Sequence, residues 1–433
     1  MYGIVCRRRC RRRESTRPAV SSRYFSAHTA TARLPADHRI VVCIIAVIAT
    51  SSCSAPTALQ LPPPSDPIVV SGSTFSCLLA PEVDLKCWGS LGGGMFDAAS
   101  PLIVPWPVDT PSPAAVDGSE HLCALSLEGE AFCWGSNRHG EVGAGTTTPT
   151  PSPTPVMTDV RFRVLRTGVH STCAISSSGY VYCWGRNDFG ALGLGTAIEG
   201  GAQLVPQQAE TSLRFDAISG GWIYCALSSN TRAAYCWGSS PGDFGPTGWR
   251  ESGDCSGTYF IAFEGQGCSL PTPVSGHLSF ITLSVGGTTA CGLVEGGAAY
   301  CWGNGTLGQL GDGTSGPGSH AVAPSPVAGG VRFQKLSVGA THACGLALDA
   351  RVYCWGNNFR GYLGNGDPEL ELSPRPVAVA GDHRFSSLAA GWYHTCGIDT
   401  EGDVWCWGSG SEGQLGRHAS YGDAYAPIPI VVR

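Results

Sequence analysis

Lysine is almost missing from this chain. Lys86 and Lys335 are the only two in 433 residues, and methionine occurs three times. With the net acidic charge of the part that follows the leader, this makes the chain a poor polyanion binder, which argues against nucleic acid or chromatin as a partner. Long apolar runs are missing too. The best, residues 40–49, is too short to cross a bilayer and suits the core of an export signal. No Cys-x-x-Cys step occurs among 20 cysteines, so a zinc-finger framework finds no foothold. Helical periodicity is absent, and 60 glycines with only 14 % charged residues describe a turn-rich β protein rather than a helical bundle.

What is present is a repeat. Seven times the chain writes Cys, about nine residues, then Cys-Trp-Gly. The pairs are Cys77/Cys87, Cys123/Cys133, Cys173/Cys183, Cys225/Cys236, Cys291/Cys301, Cys344/Cys354 and Cys396/Cys406. The Trp-Gly steps beginning at Trp88, Trp134, Trp184, Trp237, Trp302, Trp355 and Trp407 are 46, 50, 53, 65, 53 and 52 residues apart. That period, rich in Gly and aromatics, predicts an all-β fold: a seven-bladed β-propeller of four-stranded antiparallel blades.

Each repeat reads as a hairpin. Setting Cys123 opposite Cys133 leaves Leu127-Glu128-Gly129 as a three-residue loop, whose last position favours a left-handed residue. Gly129, Gly179, Gly297 and Gly402 fill it; Val83 and Ala350 do not, so those two turns are expected to be strained or different. The fourth repeat has one more residue, which suits a four-residue loop, Ser229 to Arg232. If Ser126 and Glu130 form a hydrogen-bonded pair, the cysteines fall on a non-hydrogen-bonded pair with Cα atoms about 4.5 Å apart, within disulfide reach. Seven cross-strand disulfides are therefore predicted. Tiny residues face large rings across the hairpin, as Gly292 faces Tyr300, Gly345 faces Tyr353 and Gly397 faces Trp405; the rings are expected to shield the bare backbone. A glycine stands five residues before every first cysteine (Gly72, Gly118, Gly168, Gly220, Gly286, Gly339, Gly391) and predicts either positive φ or close backbone approach. Upstream, a strand is expected to end in Phe162, Phe215, Phe280, Phe333 or Phe385.

Together these residues resemble the regulator of chromosome condensation repeat: Gly339-Ala340-Thr341-His342-Ala343-Cys344, then Val352-Tyr353-Cys354-Trp355-Gly356-Asn357, then Gly308-Gln309-Leu310-Gly311-Asp312-Gly313. The resemblance covers residues 68–433 and implies the seven-bladed ring. Its family spans nuclear exchange factors for small GTPases and secreted bacterial propellers, one of which inhibits β-lactamases. The cysteine before each Trp departs from the nuclear pattern and is read as the mark of an exported bacterial variant. The segment from Ala426 to Val432 and the segment from Ile68 to Gly72 are expected to pair in one blade and so close the ring.

Domain boundaries follow. Residues 1–53 read as a leader with a lipobox-like end, making Cys53 the lipidation candidate, with ordinary cleavage as the alternative. Residues 54–67 read as a Pro/Ser-rich linker and 68–433 as the propeller. With ten of 27 basic residues and two of 33 acidic ones before Cys53, the remainder carries 17 against 31, a net −14. The place expected is outside the cytoplasm: the cell envelope, as a periplasmic or outer-surface lipoprotein, or secreted. The only membrane link expected is that anchor.

The period breaks at about 239–272. Asp243, Phe244, Trp249, Arg250, Tyr259, Phe260 and Phe263 are the binding candidates there, and Cys255 with Cys268 is expected to close the loop. Packing of Phe260 and Phe263 onto the blade is an equal alternative. His121, His342 and His394 share one repeat position, but one position in different blades is spread around a ring, so backbone hydrogen bonds are expected rather than metal. The glycine loops have no helix behind them to bind a nucleotide phosphate. No nucleophile–base pair or ligand cluster is seen outside the repeat, and neither cofactor nor metal is expected. The chain thus reads as a non-enzymatic, monomeric scaffold that meets a protein or glycan through one propeller face and the insertion. Guanine-nucleotide exchange on a small GTPase, implied by the resemblance, is the alternative. A hydrolase using Asp243, Glu251 or Asp254 in the central mouth ranks last.

Overall fold

The computed structural model describes residues 59–80, 84–91, 96–107, 113–187, 190–195, 201–238, 250–251 and 266–432. Seven antiparallel sheets follow one another along the chain, spanning 68–103, 113–155, 162–208, 215–273, 282–326, 333–378 and 385–430. Blade 3 shows the plan, with strands Phe162–Thr167, Ser171–Ser176, Val181–Arg186 and Ala202–Gln208 in that spatial order. First strands of successive blades touch and surround the central axis. Among the described residues, blade 4 alone has a fifth strand, Arg250–Glu251, parallel to the start of Gln266–Pro273 at the outer edge.

The hairpin reading holds in detail. Cys77 faces Cys87, Cys123 faces Cys133, Cys173 faces Cys183 and Cys225 faces Cys236. Cys291 likewise faces Cys301, Cys344 faces Cys354 and Cys396 faces Cys406. All seven pairs are joined as disulfides, with Cα atoms 4.0–4.1 Å apart, somewhat closer than expected. Ser126 N donates to Glu130 O at 2.9 Å, the narrow pair that sets this register. Gly129, Gly179, Gly297 and Gly402 have φ of 76°, 91°, 80° and 95°. Ala350 takes the same left-handed turn at 66°, a strained conformation for alanine, and Arg232 does so at 57° in the four-residue loop. Val83 lies outside the described residues.

Three expectations are corrected. The terminal segments do not share a blade: Ile68–Ser71 pairs only within blade 1 and Ala424–Ile430 only within blade 7. Each blade is built from contiguous chain, so the ring closes by contacts between blades 7 and 1 rather than by strand pairing, with Val69, Leu78 and Trp88 buried against Ile398, Val404 and Leu415. Phe162, Phe215, Phe333 and Phe385 begin the first strand rather than end one, because a bulge just after each carries the chain into the ladder. From there the ring swings over the second strand. It is Phe280, Phe333 and Phe385, not the cross-strand Tyr or Trp, that occupy the space a side chain at Gly292, Gly345 or Gly397 would need.

The core is therefore seven layers between blades rather than one centre. Each layer puts the Trp of one blade against the disulfide of the blade before it, as Trp184 lies with Cys123 and Cys133. Burying a Trp of this kind stabilises by several kcal/mol, since removing one typically costs about 3–5 kcal/mol. The segment upstream of the first blade contributes as well: Leu61 N donates to Leu127 O at 2.6 Å and its side chain joins this layer.

Candidate functional site

In an antiparallel blade the first-to-second and third-to-fourth connections leave at the same end. That end gathers the residues three and four before each first cysteine, together with Gly238 and Gln266, the anchors of the insertion. Here successive blades touch through backbone. Ser73 N donates to Ser119 O, Val169 N to Gly221 O, Trp222 N to Gly287 O and Trp392 N to Gly72 O, at 2.9–3.1 Å. This is why the glycine before each cysteine is needed: a Cβ at Gly286, Gly339 or Gly391 would strike the carbonyl of Gly339, Gly391 or Gly72. None of these glycines has positive φ. Close approach is the reason.

Behind the mouth lies a channel of about 350 Å³ lined by first strands of all seven blades, with Asp117, Arg166 and Lys335 facing it. Its polar groups serve the neighbouring blade. Asp117 Oδ2 accepts from Thr167 N at 2.7 Å and Thr167 Oγ1 at 3.0 Å. Ser219, Ser284 and Ser337 accept from Val285 N, Val338 N and Ala390 N at 2.9, 2.9 and 2.7 Å. Burial raises the pKa of Asp117 against the pull of Arg166 and Thr167; burial, then Arg166, lowers that of Lys335. These groups stitch the wall. No two of them form a catalytic pair among the described residues.

The mouth itself is aromatic. Rings follow one another across it from blade 6 to blade 2: Tyr362 and Tyr393 with centroids 6.1 Å apart, Tyr393 and Trp392 6.0 Å, Trp392 and Trp222 6.2 Å, Trp222 and His170 5.8 Å, His170 and His139 5.0 Å. In and beside this track stand the three large aromatics that, among the described residues, are most open to solvent: Phe359 at 67 %, Tyr393 at 39 % and Tyr421 at 70 %. All three leave from the mouth end.

The shared histidine position turns out differently from expectation. Each ring reaches a hydroxyl of the next blade, and His394 also meets the Phe75 backbone. His121 Nε2 lies 2.6 Å from Thr172 Oγ1, His342 Nε2 2.8 Å from Thr395 Oγ1 and His394 Nε2 2.7 Å from Ser76 Oγ. Thr172 and Ser76 donate onward to Glu141 O and Gln414 O at 3.0 and 3.3 Å, so their oxygens accept from an Nε2–H. Nδ1 then carries the bare lone pair, and it is without a partner in all three. Burial pushes their pKa values down, to about 3 for His121 and His394 and about 4 for His342. They occupy three seams and form no ligand set. Five of the recurring Trp indoles (Trp88, Trp184, Trp237, Trp355 and Trp407) bond the glycine loop of the preceding blade, as Trp184 Nε1 to Glu141 O at 2.8 Å and Trp355 Nε1 to Gln309 O at 2.9 Å. Those loops are inter-blade fasteners.

Of the sequence-predicted binding residues, Asp243, Phe244, Trp249, Tyr259, Phe260 and Phe263 lie outside the described residues, as do Cys53, Cys255 and Asp254. Arg250 and Glu251 are placed by backbone on the outermost strand of blade 4. That position takes Glu251 away from the central mouth, where the hydrolase reading needed it. Cys268 is buried and disulfide-bonded. The mouth aromatics were missed, although the signal was in the sequence. Between a recurring glycine and a recurring cysteine, the pairs Val169-His170, Gly221-Trp222 and Trp392-Tyr393 vary from repeat to repeat. A ligand cluster was missed as well: single donor atoms of His139, Glu141 and His170 lie within 4.8 Å of one another. It is assembled across two blades, so spacing along the chain hides it.

Models of the regulator of chromosome condensation (RCC1) repeat match residues 115–141, 333–361 and 385–414, and residues 178–227, 296–346 and 349–398. The chain is 35 % identical to the Arabidopsis thaliana ultraviolet-B receptor UVR8 over 27 % of its own length and 26 % of the receptor. It is 27 % identical to the mitochondrial RCC1 domain-containing protein RUG3 of the same plant over 49 % of its length and 47 % of that protein. The matched stretch thus spans at most about half of either relative. Prp20p of Saccharomyces cerevisiae, in a structure titled for its binding to Gsp1p and histones, superposes with a TM-score of 0.68 at 19 % identity, covering 84 % of this chain and 88 % of Prp20p. Human WBSCR16 superposes at 0.62 and 19 %, covering 78 % and 89 %. With the in-phase motifs and the ring they build, the chain carries RCC1 repeats and is similar to the RCC1-repeat propellers.

Proposed function

We propose that this chain is a non-enzymatic binding scaffold, exported from the cytoplasm, that meets a protein or glycan with the mouth end of its ring. The observation that carries the reading is the ring track. Aromatic side chains give large contact area at low entropic cost and dominate interface energetics, and here the most exposed ones collect at one end. The 239–272 insertion is anchored at that same end and joins the proposed surface with Asp243, Phe244, Trp249, Arg250, Tyr259, Phe260 and Phe263. Seven disulfides support an oxidising compartment. Among the described residues no helix is long and apolar enough to cross a membrane. Within the proposal, residues 1–53 direct export and Cys53 takes the lipid.

The test is affinity capture from cell-envelope extract and on a glycan array. Trp392→Ala with Tyr393→Ala, and separately deletion of 240–264, are expected to abolish retention of whatever the wild type retains. Equal retention by both variants overturns the reading. The likeness to Prp20p keeps guanine-nucleotide exchange as a second reading. Free thiols at the blade cysteines with stimulated nucleotide release from a small GTPase would establish it instead.

A further inference from the structure

We propose that His139, His170 and Glu141 bind a divalent transition metal, zinc being the ion this donor set suits, with Glu120 placed to supply the fourth ligand. The inference stands independently of the binding role above.

The argument begins with Glu141, which is completely buried. Its place in the glycine loop is filled by Gln309 and Gln414 in two other blades, and all three do one structural task. Glu141 Oε2 accepts from His139 N at 2.9 Å, Gln309 Oε1 from Leu307 N at 2.8 Å and Gln414 Oε1 from Glu412 N at 2.8 Å. A neutral amide meets that need, so the loop does not require a carboxylate. Yet the second oxygen, Oε1, is buried without a hydrogen bond and lies 3.7 Å from His170 Nδ1. An isolated buried carboxylate oxygen is costly unless a cation answers it.

His170 is the second observation. It has φ of 60°, a left-handed backbone that no other blade adopts at this position. The bend sets its Nδ1 between two carboxylates, with Glu120 Oε2 3.0 Å away on the other side. In a tetrahedral zinc site with bonds of about 2.0–2.1 Å, neighbouring donor atoms are about 3.3 Å apart. The two distances from Nδ1 straddle that edge. His139 supplies a second imidazole, its ring 5.0 Å from that of His170. Two imidazoles with carboxylates and no thiolate favour zinc over calcium or magnesium.

The test uses the purified full chain without an affinity tag, stripped with chelator and titrated with Zn²⁺ by calorimetry and with Co²⁺ by visible absorption. One zinc per chain and intense tetrahedral cobalt bands are expected. Glu141→Gln keeps the loop bond and is expected to weaken binding at least about tenfold; His170→Ala is expected to abolish saturable uptake. Should His170→Ala fail to fold, the half-buried His139→Ala takes its place with the same expectation. Absence of saturable binding, or wild-type affinity in Glu141→Gln and His139→Ala, overturns the proposal and leaves an ion-paired network of His170, Glu120 and Glu141.

Discussion

The seam between blades 2 and 3 and the seam between blades 4 and 5 are built on the same repeat and held in different ways. At the first, His121 meets Thr172 and Trp184 bonds Glu141 O. At the second, Ile223 and Ala290 stand in the same two positions, both apolar and in one cluster, and Trp302 Nε1 is buried with no partner among the described residues. Between blades 3 and 4 the pair is Ser171 with Tyr224, hydroxyl to hydroxyl at 3.1 Å. Between blades 1 and 2 it is Phe75 with Leu122, again apolar. Seams are thus polar on both sides or apolar on both sides, with Thr289 against Ala343 as a mixed case in which the hydroxyl turns to Asn304 O. The difference teaches where the ring can spare a loop. The strands that anchor the insertion border a seam with no Trp–loop bond among the described residues.

Reduction tests what both seams share and is expected to have the largest effect. Closing an eleven-residue ring contributes up to roughly 3 kcal/mol per bridge, so seven together exceed the stability of an ordinary domain. Mass spectrometry after alkylation should find the fourteen blade sulfurs protected until a reductant and denaturant are added, with the melt collapsing afterwards. Ready alkylation of the native chain would break the comparison at its base.

Acid separates the seams. The three buried histidines have folded pKa values below their unfolded value near 6.5, so the unfolded chain binds more protons in between. Stability should be intact above about pH 6.5 and fall as pH drops toward about 3 to 4. Each histidine costs on the order of 2–3 kcal/mol at pH 4.5. Urea unfolding at pH 7 and 4.5 reads this, and His121→Leu with Thr172→Ala, which copies the apolar seam, should flatten one third of the slope. An unchanged slope removes the histidine account.

Indole replacement is sharper still. Trp184→Phe loses volume and one of the two hydrogen bonds to Glu141 O, the other coming from Thr172 Oγ1, whereas Trp302→Phe loses volume and removes an orphan. The first should cost about 0.5–1.5 kcal/mol more than the second in chemical denaturation. Equal costs would show that the Trp–loop bond contributes nothing. The smallest effect on stability, below about 1 kcal/mol, is expected from replacing 239–265 with the blade 5 loop 304–319, read as a shift in midpoint.

Most of the ring was legible in the sequence because one short pattern, repeated in phase, fixes hairpin register, turn chemistry and disulfide pairing together. Cys123 opposite Cys133 follows from three residues of turn. What stayed hidden was everything carried between blades: the hydroxyl that answers each histidine, the carbonyl that answers indoles such as Trp184 and Trp355, and the donors that meet at His170. Those partners are about fifty residues apart, at positions where the repeat varies. Ring closure was misjudged for the same reason, since local pattern says nothing about which distant edge a strand will meet.

Each of the seven blade bridges joins residues only 10 or 11 apart. During synthesis or translocation the correct mate is thus the nearest thiol, and it emerges before more distant competitors do. A protein with so many crosslinks would ordinarily depend on an isomerase to escape scrambled pairings. Here nearest-neighbour oxidation, hairpin by hairpin, leads straight to the native set.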